Sequence, residues 1–150
     1  MLMLERELEG KIMPIMDQLL ADIGSHFVAL GLLEGDSGEL VWKLAAGNLS
    51  DRYKTIAGRV GKGLAGSVIK VGRGMSLHVS ELIANRQLHE YPILLAEKLR
   101  SAFAVPIMSG NKVQGVLLAG DRVKRIYRQE DKQTVTAMAE RVAEILAVRS

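Results

Sequence analysis

Val60-Gly61-Lys62-Gly63-Leu64-Ala65-Gly66-Ser67-Val68-Ile69-Lys70, near the middle of the chain, reads as a glycine-rich turn that opens a short helix. The first N–H groups of a helix lack internal partners, and the aligned peptide dipoles place roughly half a positive charge at that end, so helix openings attract anions. Gly61, Gly63 and Gly66 let the backbone present those donors without side-chain obstruction. Their flanks are hydrocarbon: Leu64, Ala65, Val68 and Ile69. Backbone donors walled by apolar side chains suit a small, weakly hydrated ligand better than a heavily charged one. The helix is expected from about Leu64 to Val71, with Gly72 as a left-handed cap. The spacing Gly61-x-Gly63-x-x-Gly66 also satisfies the dinucleotide-binding pattern. That reading is rejected because the helix is too short for a crossover, the acidic residue at Glu81 comes early, and antiparallel hairpins surround it.

Upstream, Phe27 to Leu33 and Glu39 to Ala46 read as two strands joined by a turn at Glu34-Gly35-Asp36-Ser37-Gly38, an antiparallel hairpin. The first strand is apolar on both faces and therefore central. In the second, alternation places Leu40, Trp42 and Leu44 on one face. Trp42 is the only tryptophan, and its indole N–H needs an acceptor if buried. Two readings stay open for it, a core side chain bonded to a carbonyl or a ligand contact.

Asn48 to Thr55 is polar, a loop or one helical turn, and Met75 to Val79 is a short strand. Ser80 to Leu99 mixes helical periodicity with Pro92, giving either two short helices or a long structured loop broken near Glu90-Tyr91-Pro92. Pro92 suits a helix opening, which makes Ile93 and Leu94 a second set of free N–H groups. Ser101 to Met108 and Val113 to Gly120 flank Ser109-Gly110-Asn111-Lys112 as a second hairpin.

At the ends, Leu8, Ile12, Ile15, Met16, Leu19, Leu20 and Ile23 mark one face of a helix over residues 2 to 23. Pro14 implies a kink there or a helix that begins near Met13. A closing helix from Gln129 to Arg149 carries Val135, Met138, Val142, Ile145 and Leu146 on one side, with Glu130 and Asp131 in its first turn. The order predicts an α+β domain, 1–150, around one mostly antiparallel sheet, with two amphipathic terminal helices on one face that also offer a dimer seam.

Composition bounds the function. With 48% hydrophobic and 25% charged residues, the 150-residue chain can bury a sizeable core. A net charge of +3 arises from scattered cations, and the densest group, Arg122, Lys124, Arg125 and Arg128 around Tyr127, reads as a solvated turn rather than a nucleic-acid patch. The absence of cysteine excludes disulfides, thiol nucleophiles and Cys-based metal sites, and suits a cytoplasmic protein. No apolar run approaches the roughly 18 residues of a membrane span, so neither a signal peptide nor an anchor is expected. His26, His78 and His89 are too dispersed for a metal triad, and nothing resembles a hydrolytic arrangement. The reading is a protein without catalysis or metal.

The hairpin, the turn Arg59-Val60-Gly61-Lys62-Gly63-Leu64-Ala65-Gly66, the strand Ala104-Val105-Pro106-Ile107 followed by Gly115-Val116-Leu117, and Tyr127-Arg128-Gln129-Glu130-Asp131 before the last helix together resemble a GAF domain over nearly the whole chain. The resemblance implies an antiparallel sheet of five or six strands, terminal helices on one face and a small-molecule pocket on the other. Arg128 departs from the Ser or Thr cap common in the family. Lack of cysteine sets the chain apart from the methionine sulfoxide reductases and bilin-linked members, and Asp121-Arg122 replaces the Asn-Lys pair of cyclic-nucleotide binders. What remains is similar to the nitrate receptors that work beside a sensor histidine kinase in staphylococcal nitrate and oxygen regulation. By that resemblance, nitrate is held by backbone N–H groups at two helix openings, one formed by Leu64 and Ala65 and the other by Tyr91, Pro92 and Ile93, under Trp42. Nitrate is the implied ligand, no other cofactor is implied, and a kinase is the implied partner. The alternative is a GAF interaction or dimerisation module, or a sensor for haem or a cyclic nucleotide.

Overall fold

The computed structural model describes residues 2–34, 39–58, 67–68 and 70–148. Along the chain run α1 (Leu2–Ile23), β1 (Phe27–Glu34), β2 (Glu39–Ala46), a 3-10 turn (Arg52–Thr55), β3 (Ala57–Gly58), β4 (Met75–His78), α2 (Val79–Ala84), a second 3-10 turn (Leu88–Glu90), α3 (Pro92–Ala96), β5 (Ser101–Ser109), β6 (Lys112–Asp121) and α4 (Gln129–Val148). The strands form one six-stranded sheet in the order β3-β2-β1-β6-β5-β4, and each neighbouring pair is antiparallel. The strands apolar on both faces, β1 and β6, are the central ones, as their sequences require.

Both hairpins form where expected. β1 and β2 pair from Val28 opposite Ala46 to Glu34 opposite Glu39. β5 and β6 meet in a tight turn between Ser109 and Lys112, with Gly110 at φ +60°. Ser80 to Leu99 resolves into the two-helix alternative, α2 and α3 separated by a 3-10 turn. Of the helix that follows the glycine-rich turn, Ser67, Val68, Lys70 and Val71 are helical, and Gly72 closes it at φ +72° with its N–H on the Val68 carbonyl at 2.8 Å.

Two expectations are corrected. α1 runs unbroken from Leu2 through Pro14 instead of starting near Met13. Pro14 and Gly10 are both exposed, so water can satisfy the carbonyl that the proline leaves without a donor. Leu44 does not share a face with Leu40 and Trp42. The β1–β2 register shifts between Leu30, opposite Leu44, and Gly31, opposite Trp42. Lys43 is thus the extra residue of a bulge, and the bulge turns Leu44 to the opposite face. The polar stretch before the glycine turn takes its helical-turn alternative, a 3-10 turn that buries Tyr53, and is followed by β3, a strand too short to announce itself by alternation.

The sheet carries a separate apolar cluster on each face. On one, Ile12, Ile15, Met16, Leu19 and Ile23 of α1 and Val135, Met138, Ala139, Val142 and Leu146 of α4 cover Val28, Leu30, Val105, Ile107 and Leu117. On the other, short elements and turns cover Phe27, Ala29, Leu40, Trp42, Val116 and Leu118. Arg128 lacks a capping side chain of its own, and Asp131 compensates by accepting the Arg128 N–H at 3.0 Å, closing the start of α4.

Candidate functional site

The face without long helices carries three of the six residues expected at the site. Trp42, Tyr91 and Ile93 are all buried there in one cluster, with Val68 from the helix behind the glycine turn and Tyr53 from the 3-10 turn. Trp42 reaches this face because it precedes the bulge. Gly31 makes room for it: a Cβ on that residue would stand 3.1 Å from Trp42 Cε3 and from Leu40 Cδ2. The indole N–H has no acceptor among the described residues.

At the opening of α3, Pro92 is exposed and carries no N–H, and the Tyr91 N–H is already given to the Leu88 carbonyl at 3.0 Å. The Leu94 N–H turns back to the Tyr91 carbonyl at 3.0 Å. Ile93 N–H is the donor with no acceptor among the described residues. Leu64 and Ala65 lie outside the described residues, but Val68, one turn further on, is fully buried in the Trp42 cluster. The two helices expected to offer donors therefore pack into the same side of the sheet.

The basic group before α4 is not a solvated turn. Arg122 and Arg125 fold inward onto two buried carboxylates, while Lys124 and Arg128 stay exposed. Arg122 Nη2 lies 2.8 Å from Glu97 Oε1, and Glu97 is wholly buried. Arg125 Nη1 lies 3.3 Å from Asp121 Oδ2, which also accepts the Tyr127 hydroxyl at 2.8 Å. Burial and that hydrogen bond push the Tyr127 phenol well above its ordinary pKa. Burial, reinforced by Asp51, also raises Tyr53. Sequence reading missed both carboxylates because each sits in a charged run, and only the fold shows that a carboxylate deep in each run faces a guanidinium.

Among the described residues no group of three or more His, Asp or Glu is placed to hold a metal ion. Around Trp42 the described residues form a buried cluster of hydrocarbon and aromatic side chains, Tyr53, Val68, Tyr91, Ile93 and Leu94 among them. Such a surface can solvate a small anion through neutral donors. It offers no positioned acid, base or nucleophile among the described residues.

The GAF domain family profile matches residues 12–147. The structure is similar to that of the Staphylococcus aureus protein NreA mutated in its nitrate-binding site, with 33% identity, a TM-score of 0.73, and coverage of 83% of this chain and 93% of that one. A hypothetical protein of S. aureus is 37% identical over 73% of this chain and 91% of that one, with a TM-score of 0.67. A type II free methionine-R-sulfoxide reductase from Thermoplasma acidophilum superposes over 97% of this chain and 96% of that one at a TM-score of 0.76, but with 17% identity it shares the fold alone. No curated protein sequence matches the chain. No helix among the described residues is long and apolar enough to cross a membrane.

Proposed function

The chain belongs to the GAF domain family, and from that premise we propose that it is a nitrate sensor whose ligand sits against Trp42, between the opening of α3 and the glycine-turn helix. The observation that carries the reading is the 33% identity, over most of both chains, with a protein studied for its nitrate-binding site. The burial of Trp42, Tyr91, Ile93 and Val68 in one cluster supports it. In this reading Ile93, Leu64 and Ala65 give backbone N–H bonds to the nitrate oxygens. Pro92 sets the backbone angle at which α3 begins, Tyr91 supports that start, and Trp42 covers the planar anion. Nitrate spreads a single charge over three oxygens and is weakly hydrated. Neutral donors can therefore hold it with modest affinity where phosphate would demand Arg or Lys.

The ligand leaves unchanged, so the protein is a receptor and not an enzyme, acting in the cytoplasm. Its output passes through a partner, a sensor histidine kinase, with the terminal helices available as a dimer seam. Titration calorimetry on the folded protein is expected to show one saturable nitrate site and no response to sulfate, whose double charge these donors cannot offset. Trp42→Ala is expected to weaken nitrate by about tenfold, the equivalent of one good hydrogen bond or planar contact. Absence of heat with nitrate, while circular dichroism shows the fold intact, overturns the reading.

A further inference from the structure

We propose that Glu97 and Arg122 are positioning residues that hold α3 in place, so that a buried ion pair at one end of this helix sets nitrate affinity at the other. The effect on affinity rests on the nitrate reading above; the hold on α3 does not. α3 has five residues, too few to persist by its own hydrogen bonds. Something outside it must fix its direction. Glu97 follows its last residue, and its N–H bonds back to the Ile93 carbonyl at 3.1 Å, so the closing end is tied directly to the residue that offers the free donor.

Arg122 grips that closing end with two contacts and makes a third beyond it. Its Nη2 donates to Glu97 Oε1 at 2.8 Å, its Nε to the Glu97 carbonyl at 2.9 Å, and Nη2 also reaches the Gly47 carbonyl, just past β2, at 3.1 Å. The backbone N–H of Arg122 is fixed on His26 Nδ1 at 2.9 Å. Glu97 Oε1 further accepts the Leu49 N–H at 2.8 Å. One guanidinium therefore joins α3 to the end of the strand that carries Trp42, and through β6 to the sheet. Stability alone does not account for it. The second carboxylate oxygen, Glu97 Oε2, is buried with no hydrogen-bond partner among the described residues, and an apolar pair of the same size avoids that cost.

Asp121, the last residue of β6, supplies the control. It is as buried as Glu97 and is also held by an arginine, but its side-chain partners are Ser25, His26, Arg125 and Tyr127, between α1 and β1 and before α4, and none lies on α3. The experiment compares Glu97→Gln with Asp121→Asn by nitrate calorimetry, thermal denaturation and amide exchange at Glu97, Lys98 and Leu99. Glu97→Gln is expected to weaken nitrate by about tenfold and to speed exchange at those amides, the scale of a charge-assisted bond lost. Asp121→Asn is expected to lower the melting temperature and leave both nitrate affinity and α3 exchange unchanged. Arg122→Lys, which keeps the charge but loses the fork, falls between and serves if Glu97→Gln does not fold. Unchanged α3 exchange in a folded Glu97→Gln, or an equal loss of affinity in Asp121→Asn, overturns the proposal. If the wild-type protein shows no nitrate heat, the sensor reading fails by itself. The exchange contrast then decides whether the pair positions α3.

Discussion

The two faces of the sheet are built by opposite rules. One is covered by α1 and α4, of 22 and 20 residues, whose aliphatic stripes interlock with one another and with the strands. The other is covered by α2 and α3, of six and five residues, by 3-10 turns and by the helix behind the glycine turn. Long helices bury a repeating pattern and stabilise it cooperatively. Short ones leave a larger share of their N–H groups without internal partners, because the first turn is most of the helix. The difference teaches where stability falls: on the helical face, while the other face is covered mainly by helix ends and turns and, in the proposed reading, holds the ligand.

The largest test of that division is Leu19→Ala. Leu19 is fully buried between α1 and the sheet, and its truncation leaves a cavity that rigid neighbours cannot close. A loss of about 3 kcal/mol is expected, with a fall of roughly 10 °C in melting temperature for a chain of this size. Chemical denaturation measures the first and calorimetry the second. Nitrate affinity below the transition is expected to stay unchanged. A parallel loss of affinity would show that the two faces are not separable.

Gly31→Ala makes the converse comparison. The backbone there accepts any residue, but the added methyl meets Leu40 and Trp42 at 3.1 Å, so the indole must shift. The expected stability cost is smaller, about 1 kcal/mol, since the gain from replacing a strand glycine partly offsets the overlap. The effect on nitrate is expected to exceed that of Leu19→Ala in spite of the smaller loss of stability. Equal affinity in Gly31→Ala and wild type would mean that the position of Trp42 does not matter to the ligand.

The two faces were unequally legible in the sequence. The helical face was plain: Leu8 to Ile23 and Val135 to Leu146 repeat at three and four residues, a period that depends on no partner. Both hairpins were equally plain, since Gly110-Asn111 and the run at residues 34–38 are local turn chemistry. On the other face, Trp42, Tyr91 and Ile93 were brought together only through the family resemblance, and the structure buries them in one cluster. Composition alone did not distinguish a core tryptophan from a ligand contact. The bulge at Lys43 was invisible because a bulge is a mismatch between two strands, and neither strand records it alone. Glu97 and Asp121 were missed for a similar reason. Within Glu97-Lys98 and Asp121-Arg122 a carboxylate looks solvated, and only the tertiary approach of Arg122 and Arg125 shows otherwise.

The smallest expected effect concerns pH, and it sharpens the same comparison from the stable side. Tyr127 packs in the helical cluster and donates its hydroxyl to Asp121 at 2.8 Å, so its phenol holds its proton more tightly in the folded protein than in the unfolded chain. Above about pH 10 the unfolded chain releases that proton while the folded protein keeps it, so unfolding is progressively favoured. The contribution is fully present below that pH and is lost as the pH rises, at up to about 1.4 kcal/mol per pH unit. Tyr127→Phe removes this slope. At neutral pH the variant is expected to lose about 1 kcal/mol, because Asp121 gives up one donor but keeps Arg125 and Ser25. Denaturation curves between pH 7 and pH 11 measure both effects, and the two proteins should converge as the pH rises. Parallel curves that keep a constant gap would show that the Tyr127 hydroxyl acts through packing alone.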